Sequence, residues 1–438
     1  MKASYYNYHI PYKGKILLYN TLSGCGFVMT KDEHCHLMNL MQNLNDFSST
    51  YPQDFEKLRT IGVVVDDDFD ELAYIKYQNK VITAASTHYE LCINPTLECN
   101  FKCWYCYETH RQGHMAPEIV ESVKNHIKHK IESGGIESLT ISWFGGEPLL
   151  YYKEVIVPIA SFAKELCDNK GVKFFSGATT NGYCFNHINI AELTDIGLNA
   201  FQITIDGNKE RHDKIRSLSG EPTYDIIMNN IVKLCRHNAS VRITLRINYD
   251  VQTLVSGIED VLNDIPNDIK DQIRIDLHRV WQVNKKSNEF SNSIDQFIHN
   301  AKERGLQCVS AGGLRPKRFY NCYTCKYNFA CINFDGLVYK CTARDFTEDN
   351  AIGNLTTEGI INWNYSKVSR LYGHSPLENE TCAKCNLLPL CMGPCPQKYM
   401  ENEYSIKNLC LRDSVARTVE EMIIDLYEYT HKCAKQSL

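Results

Sequence analysis

The chain has 438 residues, 43% hydrophobic and 23% charged, with a formal net charge of −5; this is ordinary globular composition and enough length for two or three domains. The mildly acidic balance offers no basic footprint for nucleic acid, and no run of about 18 apolar residues predicts a membrane-spanning helix. The start, Met1 to Asn7, lacks the apolar core of a signal peptide, so a cytoplasmic location is expected, where 20 cysteines are better explained as metal or cluster ligands than as disulfides.

Residues 1–90 read as a separate small unit. Tyr8 to Asn20 predicts two short strands about a Lys13-Gly14 turn, and Gly26 to Thr30 a third. Lys31 to Asn45 has helical periodicity in Leu37, Leu40, Met41 and Leu44. A second hairpin is expected from Gly62 to Val65 and Leu72 to Ile75 about the acidic turn Asp66-Asp67-Asp68. Three strands plus helices in this span resemble the winged-helix leader-binding domain of peptide-maturation enzymes, the RiPP recognition element. The resemblance implies an extended leader peptide added as a further strand on a sheet edge. The plain alternative is a structural cap.

Residues 91–305 alternate. Strand-like apolar runs at 90–94, 138–144, 173–178, 200–205, 241–247 and 273–280 are separated by helical runs such as Ile119 to Ile131, Val155 to Cys167 and Tyr224 to Cys235. That alternation predicts a parallel sheet with the site at the strands' C-terminal ends. Directly after the first run stands Cys99-Asn100-Phe101-Lys102-Cys103-Trp104-Tyr105-Cys106. Thiolates in this C-x3-C-x2-C spacing can hold three corners of a cubane iron–sulfur cluster and leave the fourth iron open. Zinc more often takes paired C-x2-C knuckles in a closed four-ligand shell, and no local fourth ligand is present.

Three more motifs follow strand-like runs: Gly145-Gly146-Glu147-Pro148, Thr179-Thr180-Asn181-Gly182 and Gln202-Ile203-Thr204-Ile205-Asp206-Gly207. Taken together and in this order, they resemble the signature of radical S-adenosylmethionine (radical SAM) enzymes. The resemblance implies an α/β fold built on a partial (β/α)6 TIM-like barrel. It also implies that the open iron binds S-adenosylmethionine (SAM), whose one-electron cleavage gives a 5′-deoxyadenosyl radical that abstracts hydrogen from the substrate. Carried over by position, Tyr105 meets the adenine, and Gly145 and Gly146 let the backbone approach the methionine part. Glu147 accepts from the ammonium, Thr204 offers a hydroxyl contact, and Arg216 meets the carboxylate. Asn181 and Asp206 are strand-end turn residues first and contacts second. Read plainly, the same residues are a packed loop aromatic, a loop carboxylate, a strand threonine and a surface arginine. Arg246 to Asp250 is expected to line the cavity, and His278 to be structural.

From residue 306 to 438 cysteine spacing dominates. Cys322-Tyr323-Thr324-Cys325 is followed by Gly336-x4-Cys341, then by Cys382-x2-Cys385-x5-Cys391-x3-Cys395 and Cys410. This order resembles the SPASM extension of radical SAM enzymes. The resemblance implies two auxiliary clusters, for a total of three 4Fe-4S clusters. Cluster I takes Cys322, Cys341 and Cys395, with Cys325 as fourth ligand and Cys331 an open alternative; cluster II takes Cys382, Cys385, Cys391 and Cys410. Cys25, Cys35, Cys92, Cys167, Cys184, Cys235 and Cys433 have no motif spacing and are expected as small buried apolar residues.

The resemblances together imply a ribosomally made precursor peptide with a leader as substrate and an electron donor such as flavodoxin or ferredoxin, with neither nucleic acid nor membrane as partner. A thioether crosslink is the first expectation; a carbon–carbon crosslink or epimerisation are alternatives. An epimerase needs a thiol to return hydrogen, and Cys308, Cys325 or Cys331 could serve if not a ligand. A sulfatase-maturing enzyme is the nearest rival, but there a catalytic aspartate follows the glycine-x4 cysteine, whereas Thr342 follows Cys341 and Asp345 comes later. An iron–sulfur electron carrier is the non-enzyme reading, and it has no use for the Gly145–Pro148 motif.

Overall fold

A computed structural model describes residues 1–280, 291–310, 314–414 and 418–436. The chain divides into two compact units, one of Met1–Ala84, Gly312–Tyr327 and Arg370–Leu438, the other of Ala85–Ala311 and Asn328–Ser369. The stretch 306–438, read as one domain from the sequence, is thus shared between the units.

In the first unit, strands β1 (Lys2–Ala3), β2 (Asn7–Tyr12), β3 (Lys15–Asn20) and β4 (Cys25–Met29) precede helices Lys31–Leu40, Leu44–Thr50 and Pro52–Thr60. β2, β3 and β4 form an antiparallel sheet in that order. The turn between β2 and β3 puts Lys13 and Gly14 at φ 47° and 77°, the left-handed pair that a two-residue hairpin requires. Strand alternation splits the side chains. Tyr8, Ile10, Leu17 and Tyr19 pack with Leu387, Leu390, Met422 and Ile423. Leu18 packs with Met29, Phe47, Phe55 and Leu58. The sheet is therefore buried on both faces, by the C-terminal stretch on one and its own helices on the other. Thr30 and Glu33 form a reciprocal capping box at the start of the first helix, which fixes that boundary.

The expected second hairpin is corrected. β5 (Val64–Val65) pairs with β1 instead, and Leu72–Ile75 lies within the helix Glu71–Ala84. The Asp70 carboxylate accepts from the Ala73 amide at 2.9 Å, an N-cap. Leu72, Ile75 and Ile82 then share one apolar face against Tyr6, Leu22 and Phe319.

The second unit holds β6 (His88–Ile93), β7 (Ser138–Trp143), β8 (Lys173–Thr180), β9 (Leu198–Ile205), β10 (Arg242–Tyr249), β11 (Ile273–Arg279), β12 (Gln307–Ser310), β13 (Phe329–Ile332), β14 (Leu337–Tyr339), β15 (Gly353–Leu355) and β16 (Ile361–Trp363). They form one sheet in the order β12-β11-β10-β9-β8-β7-β6-β13-β14-β15-β16. β6 to β12 are parallel neighbours, and β13 adds parallel to β6. The six expected strands are all present, and β12 and β13 extend them at either side.

Leu91, Ile93, Leu139, Ile141, Trp143, Ile203, Ile205, Leu245, Ile247, Ile275 and Leu277 join the buried core with helices Pro117–Glu132, Val157–Lys170 and Tyr224–His237. The alternate residues, among them Cys92, Ser142, Thr204, Arg246, Asn248, Asp276 and His278, give the opposite face its polar character. Among the described residues no helix is long and apolar enough to cross a membrane.

Candidate metal and cosubstrate site

The motifs converge at the C-terminal ends of the parallel strands. The loop after β6 carries Cys99, Cys103 and Cys106. The loop after β7 holds it in place through Gly145 and Gly146, at φ 81° and 43°. A Cβ on Gly146 would stand 2.1 Å from the Glu98 carbonyl oxygen and 2.6 Å from the Leu97 carbonyl carbon. One on Gly145 would stand 2.9 Å from both the Asn94 side chain and the Thr96 oxygen. The same lack of a Cβ that was expected to admit a ligand also lets two backbones meet here. The Glu147 amide donates to the Glu98 carbonyl at 2.7 Å, and the Gly146 amide donates to Glu108 Oε2 at 2.7 Å.

Glu147 is wholly buried. Its Oε1 accepts from Leu149 N at 3.0 Å and Thr180 Oγ1 at 2.8 Å, and its Oε2 from Asn181 N at 2.7 Å. Burial pushes its pKa up to about 7, against the pull of these donors. An ionised carboxylate has about four lone-pair sites, so the chain's donors leave room for one more. Asn181 also donates from Nδ2 to Asn100 Oδ1 at 2.7 Å. The end of β8 is thereby tied to both preceding loops.

Tyr105 is the hub of a second group. Its hydroxyl donates to the Asp206 carboxylate, 2.7 and 2.6 Å from the two oxygens. It accepts from Arg216 Nη2 at 2.8 Å and Asn248 Nδ2 at 3.0 Å. Arg216 Nε donates to Asp206 as well, and Arg246 Nε donates to Asn248 Oδ1 at 2.9 Å. Asp206 and Arg216 are both buried, so neither is a surface residue and Asp206 is more than a turn former. Thr204 is buried on β9, in register with Arg246. His278 contacts Asp276 at 3.1 Å.

Burial pushes the Cys99 thiol up to about 12, with Glu147 adding to the effect, and burial raises Cys103 and Cys106 too. Ligation requires thiolates, so a bound iron centre would supply the compensating positive charge. The donor set fits: three thiols on one short loop, without a fourth ligand in the motif, suit a cluster with one open iron. Among the described residues no group of three or more His, Cys, Asp or Glu is placed to hold a single metal ion.

The C-terminal cysteines of the first unit fall into two groups. Cys391 feels the charges of Cys382, Cys385 and Cys410, and Cys322 and Cys325 feel that of Cys395. Cys341 belongs to the other unit. Cys331 lies on β13 opposite Cys92 of β6, and both are buried. Cys167, Cys184 and Cys235 are buried as expected, Cys25 is half-buried, and Cys35 is exposed on a helix that buries no residue. The Cys433 side chain lies outside the described residues. Cys308 is packed in the apolar core.

Two carboxylates were missed from the sequence. Besides Glu108, Glu98 accepts from the Gly113 amide at 2.6 Å and the Tyr151 hydroxyl at 3.0 Å. Acidic residues beside a cysteine motif carry no spacing signal that would reveal such bonds. Asp345 accepts from Thr109 N at 2.9 Å, Thr109 Oγ1 at 2.5 Å and Phe346 N at 3.0 Å. Its carboxylate is thus committed to the chain.

Residues 93–258 match the family model described as the Radical SAM superfamily. The chain carries a radical SAM domain. Two curated relatives are similar to part of the chain. Fe-coproporphyrin III synthase of Methanosarcina barkeri is 25% identical over 171 residues, 39% of this chain and 40% of the relative. The sporulation killing factor maturation protein SkfB of Bacillus subtilis is 31% identical over 156 residues, 35% of this chain and 34% of SkfB. The chain therefore spans well under half the length of either relative.

Among solved structures, native anSMEcpe with bound AdoMet aligns with a TM-score of 0.54 at 17% identity, covering 80% of this chain and 98% of that one. Streptococcus suis SuiB bound to precursor peptide SuiA aligns with a TM-score of 0.50 at 17% identity, covering 95% and 99%. These likenesses concern the fold. They agree with a radical SAM domain built on the large parallel sheet described above.

Proposed function

We propose that this chain is a radical SAM enzyme that modifies a ribosomally made precursor peptide in the cytoplasm. The observation that carries the reading is the convergence of the Cys99–Cys106 loop, the Gly145–Glu147 loop and the Tyr105–Asp206–Arg216–Asn248 network at one end of the parallel strands. Cys99, Cys103 and Cys106 hold a 4Fe-4S cluster, and when bound the cluster and SAM supply a hydrogen-abstracting radical. Arg216, oriented by Asp206 and Tyr105, faces the SAM carboxylate, a charge-assisted contact. Glu147 offers its remaining lone-pair site to the ammonium. Tyr105 borders the adenine, with Thr204, Asn181 and the two glycines completing the wall. Burial of these groups excludes water from the reacting atoms.

The names of two relatives support a peptide substrate: SkfB is a maturation protein, and SuiB is seen with a precursor peptide. Residues 1–90 act as the leader-binding domain. β4 is an edge strand of its sheet and can take the leader as an added strand. Residues 91–305 form the core and 306–438 the SPASM region. Cys382, Cys385, Cys391 and Cys410 hold one auxiliary 4Fe-4S cluster, and Cys322, Cys325 and Cys395 contribute to another, with electrons from a flavodoxin or ferredoxin. A thioether crosslink is the product we favour. The commitment of Asp345 to Thr109 and Phe346 weighs against a sulfatase-maturing reaction, which needs a free catalytic aspartate.

The test pairs the reconstituted enzyme, SAM and dithionite with the peptide encoded by a short reading frame beside the gene. Loss of two hydrogens together with a cysteine that no longer alkylates is the expected result. A peptide of unchanged mass that gains no solvent deuterium in D2O refutes the peptide reading.

A further inference from the structure

A polar cluster beside Cys385 lies outside the SAM-binding group. Arg412 Nη2 donates to the Tyr8 hydroxyl at 2.8 Å and to Asn386 Oδ1 at 2.9 Å. The Tyr8 hydroxyl donates to the same Asn386 oxygen at 2.6 Å. Asn386 directly follows Cys385, so the Arg412–Asn386 bond holds the guanidinium beside that cysteine, whose charge acts on Arg412. Asn386 is held from its other side, its carbonyl accepting from Thr21 Oγ1 at 2.7 Å. Cys385 and Cys391 border the apolar core that Tyr8, Ile10, Leu387 and Leu390 share.

The sequence places these groups with economy. Asn386 follows Cys385 directly, and Arg412 follows Cys410 by two residues. Tyr8 comes from the middle of β2 and is buried. Arg412 lies at the surface, where a long side chain is free to turn unless held. Here two acceptors hold it, one of them on the N-terminal sheet.

We infer that Arg412 is a positioning residue that sets the reduction potential of the cluster at Cys382, Cys385, Cys391 and Cys410, and that Tyr8 and Asn386 hold it to that task. The inference rests on the proposed cluster at those cysteines. A guanidinium is always charged and donates in a fixed fork. Held beside a ligating thiolate, its positive charge favours the state with one more electron. Hydrogen bonds to the sulfurs and net charge are established levers on such potentials. The step is a one-electron reduction by a low-potential donor of the flavodoxin or ferredoxin class, dithionite in the assay, with no bond made or broken.

The experiment is a redox titration of the reconstituted full chain, followed by electron paramagnetic resonance, on the wild type and on Arg412→Gln, Arg412→Lys and Tyr8→Phe. A Cys382→Ala/Cys410→Ala variant identifies the signal, which disappears together with one cluster's iron. Arg412→Gln should keep its iron and move that midpoint to more negative potential, by about tenfold in the reduction equilibrium, ~59 mV for one electron. Arg412→Lys should restore part of the shift, and Tyr8→Phe should move it the same way by less. An unchanged midpoint in Arg412→Gln at full iron content overturns the inference and leaves the cluster standing. Wild-type iron in the Cys382→Ala/Cys410→Ala variant overturns the cluster and the inference together. If Arg412→Gln sheds the cluster, Tyr8→Phe decides: a negative shift supports the inference and none overturns it.

Discussion

Replacing Gly146 by alanine asks whether the Gly145–Gly146 pair serves to seat the cysteine loop. The added Cβ would stand 2.1 Å from the Glu98 carbonyl oxygen and 2.6 Å from the Leu97 carbonyl carbon and oxygen. These are backbone atoms one and two residues before Cys99, so relief requires the loop itself to move. Overpacking of this kind costs about 1–3 kcal/mol, and the left-handed backbone at φ 43° adds about 1–2 kcal/mol for a non-glycine residue. Gly134 is the matched control: it has φ 80° and nothing within 4 Å of its Cβ, so Gly134→Ala bears the backbone strain alone. The steric difference of about 1–3 kcal/mol corresponds to roughly 2–12 °C in Tm at about 2–4 °C per kcal/mol. Thermal melts of both variants, with iron counted after reconstitution, provide the assay. Gly146→Ala should melt lower than Gly134→Ala and bind less iron. Equal melting and full iron in both would refute the seating argument.

Further outcomes follow from other contacts. Asp206→Asn leaves the buried Arg216 without its carboxylate and should cost about 3–5 kcal/mol in urea unfolding; a loss under 1 kcal/mol contradicts the buried pair. Cys331→Ala should keep wild-type iron, since Cys331 sits within the sheet opposite Cys92, whereas Cys395→Ser should lose iron; the reverse pattern would make Cys331 the ligand. His126 accepts from the Tyr89 hydroxyl at 2.6 Å and donates to the Gly359 carbonyl at 2.8 Å, and burial lowers its pKa to about 4. The unfolded chain takes that proton first, near the ordinary value of about 6.5. Its contribution is therefore complete above about pH 6.5 and is lost as pH falls towards about 4. Unfolding titrations should show a shallower acid slope in His126→Asn than in the wild type, and equal slopes would count against it.

The parallel sheet was legible because its strands are apolar runs broken by helices of clear period, and its motifs stand where strands end. β12 and β13 were not. Gln307–Ser310 and Phe329–Ile332 are four residues each, too short for alternation to declare itself, and their partners are distant in sequence. Leu72–Ile75 reads as a strand over four residues and as a helix only when Ile82 and the Asp70 cap are counted. In the site, the sequence identifies Glu147 as chemically important but not as the anchor of β8, because Thr180 is 33 residues away. Tyr105, Asp206 and Arg216 were each named separately; that they form one hydrogen-bonded group depends on three strand ends meeting, which no local pattern encodes.

The most direct measurement is anaerobic. The protein is reconstituted with iron and sulfide, dithionite and SAM are added, and 5′-deoxyadenosine is measured, with Cys99→Ala/Cys103→Ala/Cys106→Ala alongside. Deoxyadenosine from the wild type and none from the variant is the predicted result, with about twelve irons per wild-type chain for three four-iron clusters. Iron-loaded wild type that yields no deoxyadenosine, where a known radical SAM enzyme succeeds, would contradict the enzyme reading and leave an electron carrier.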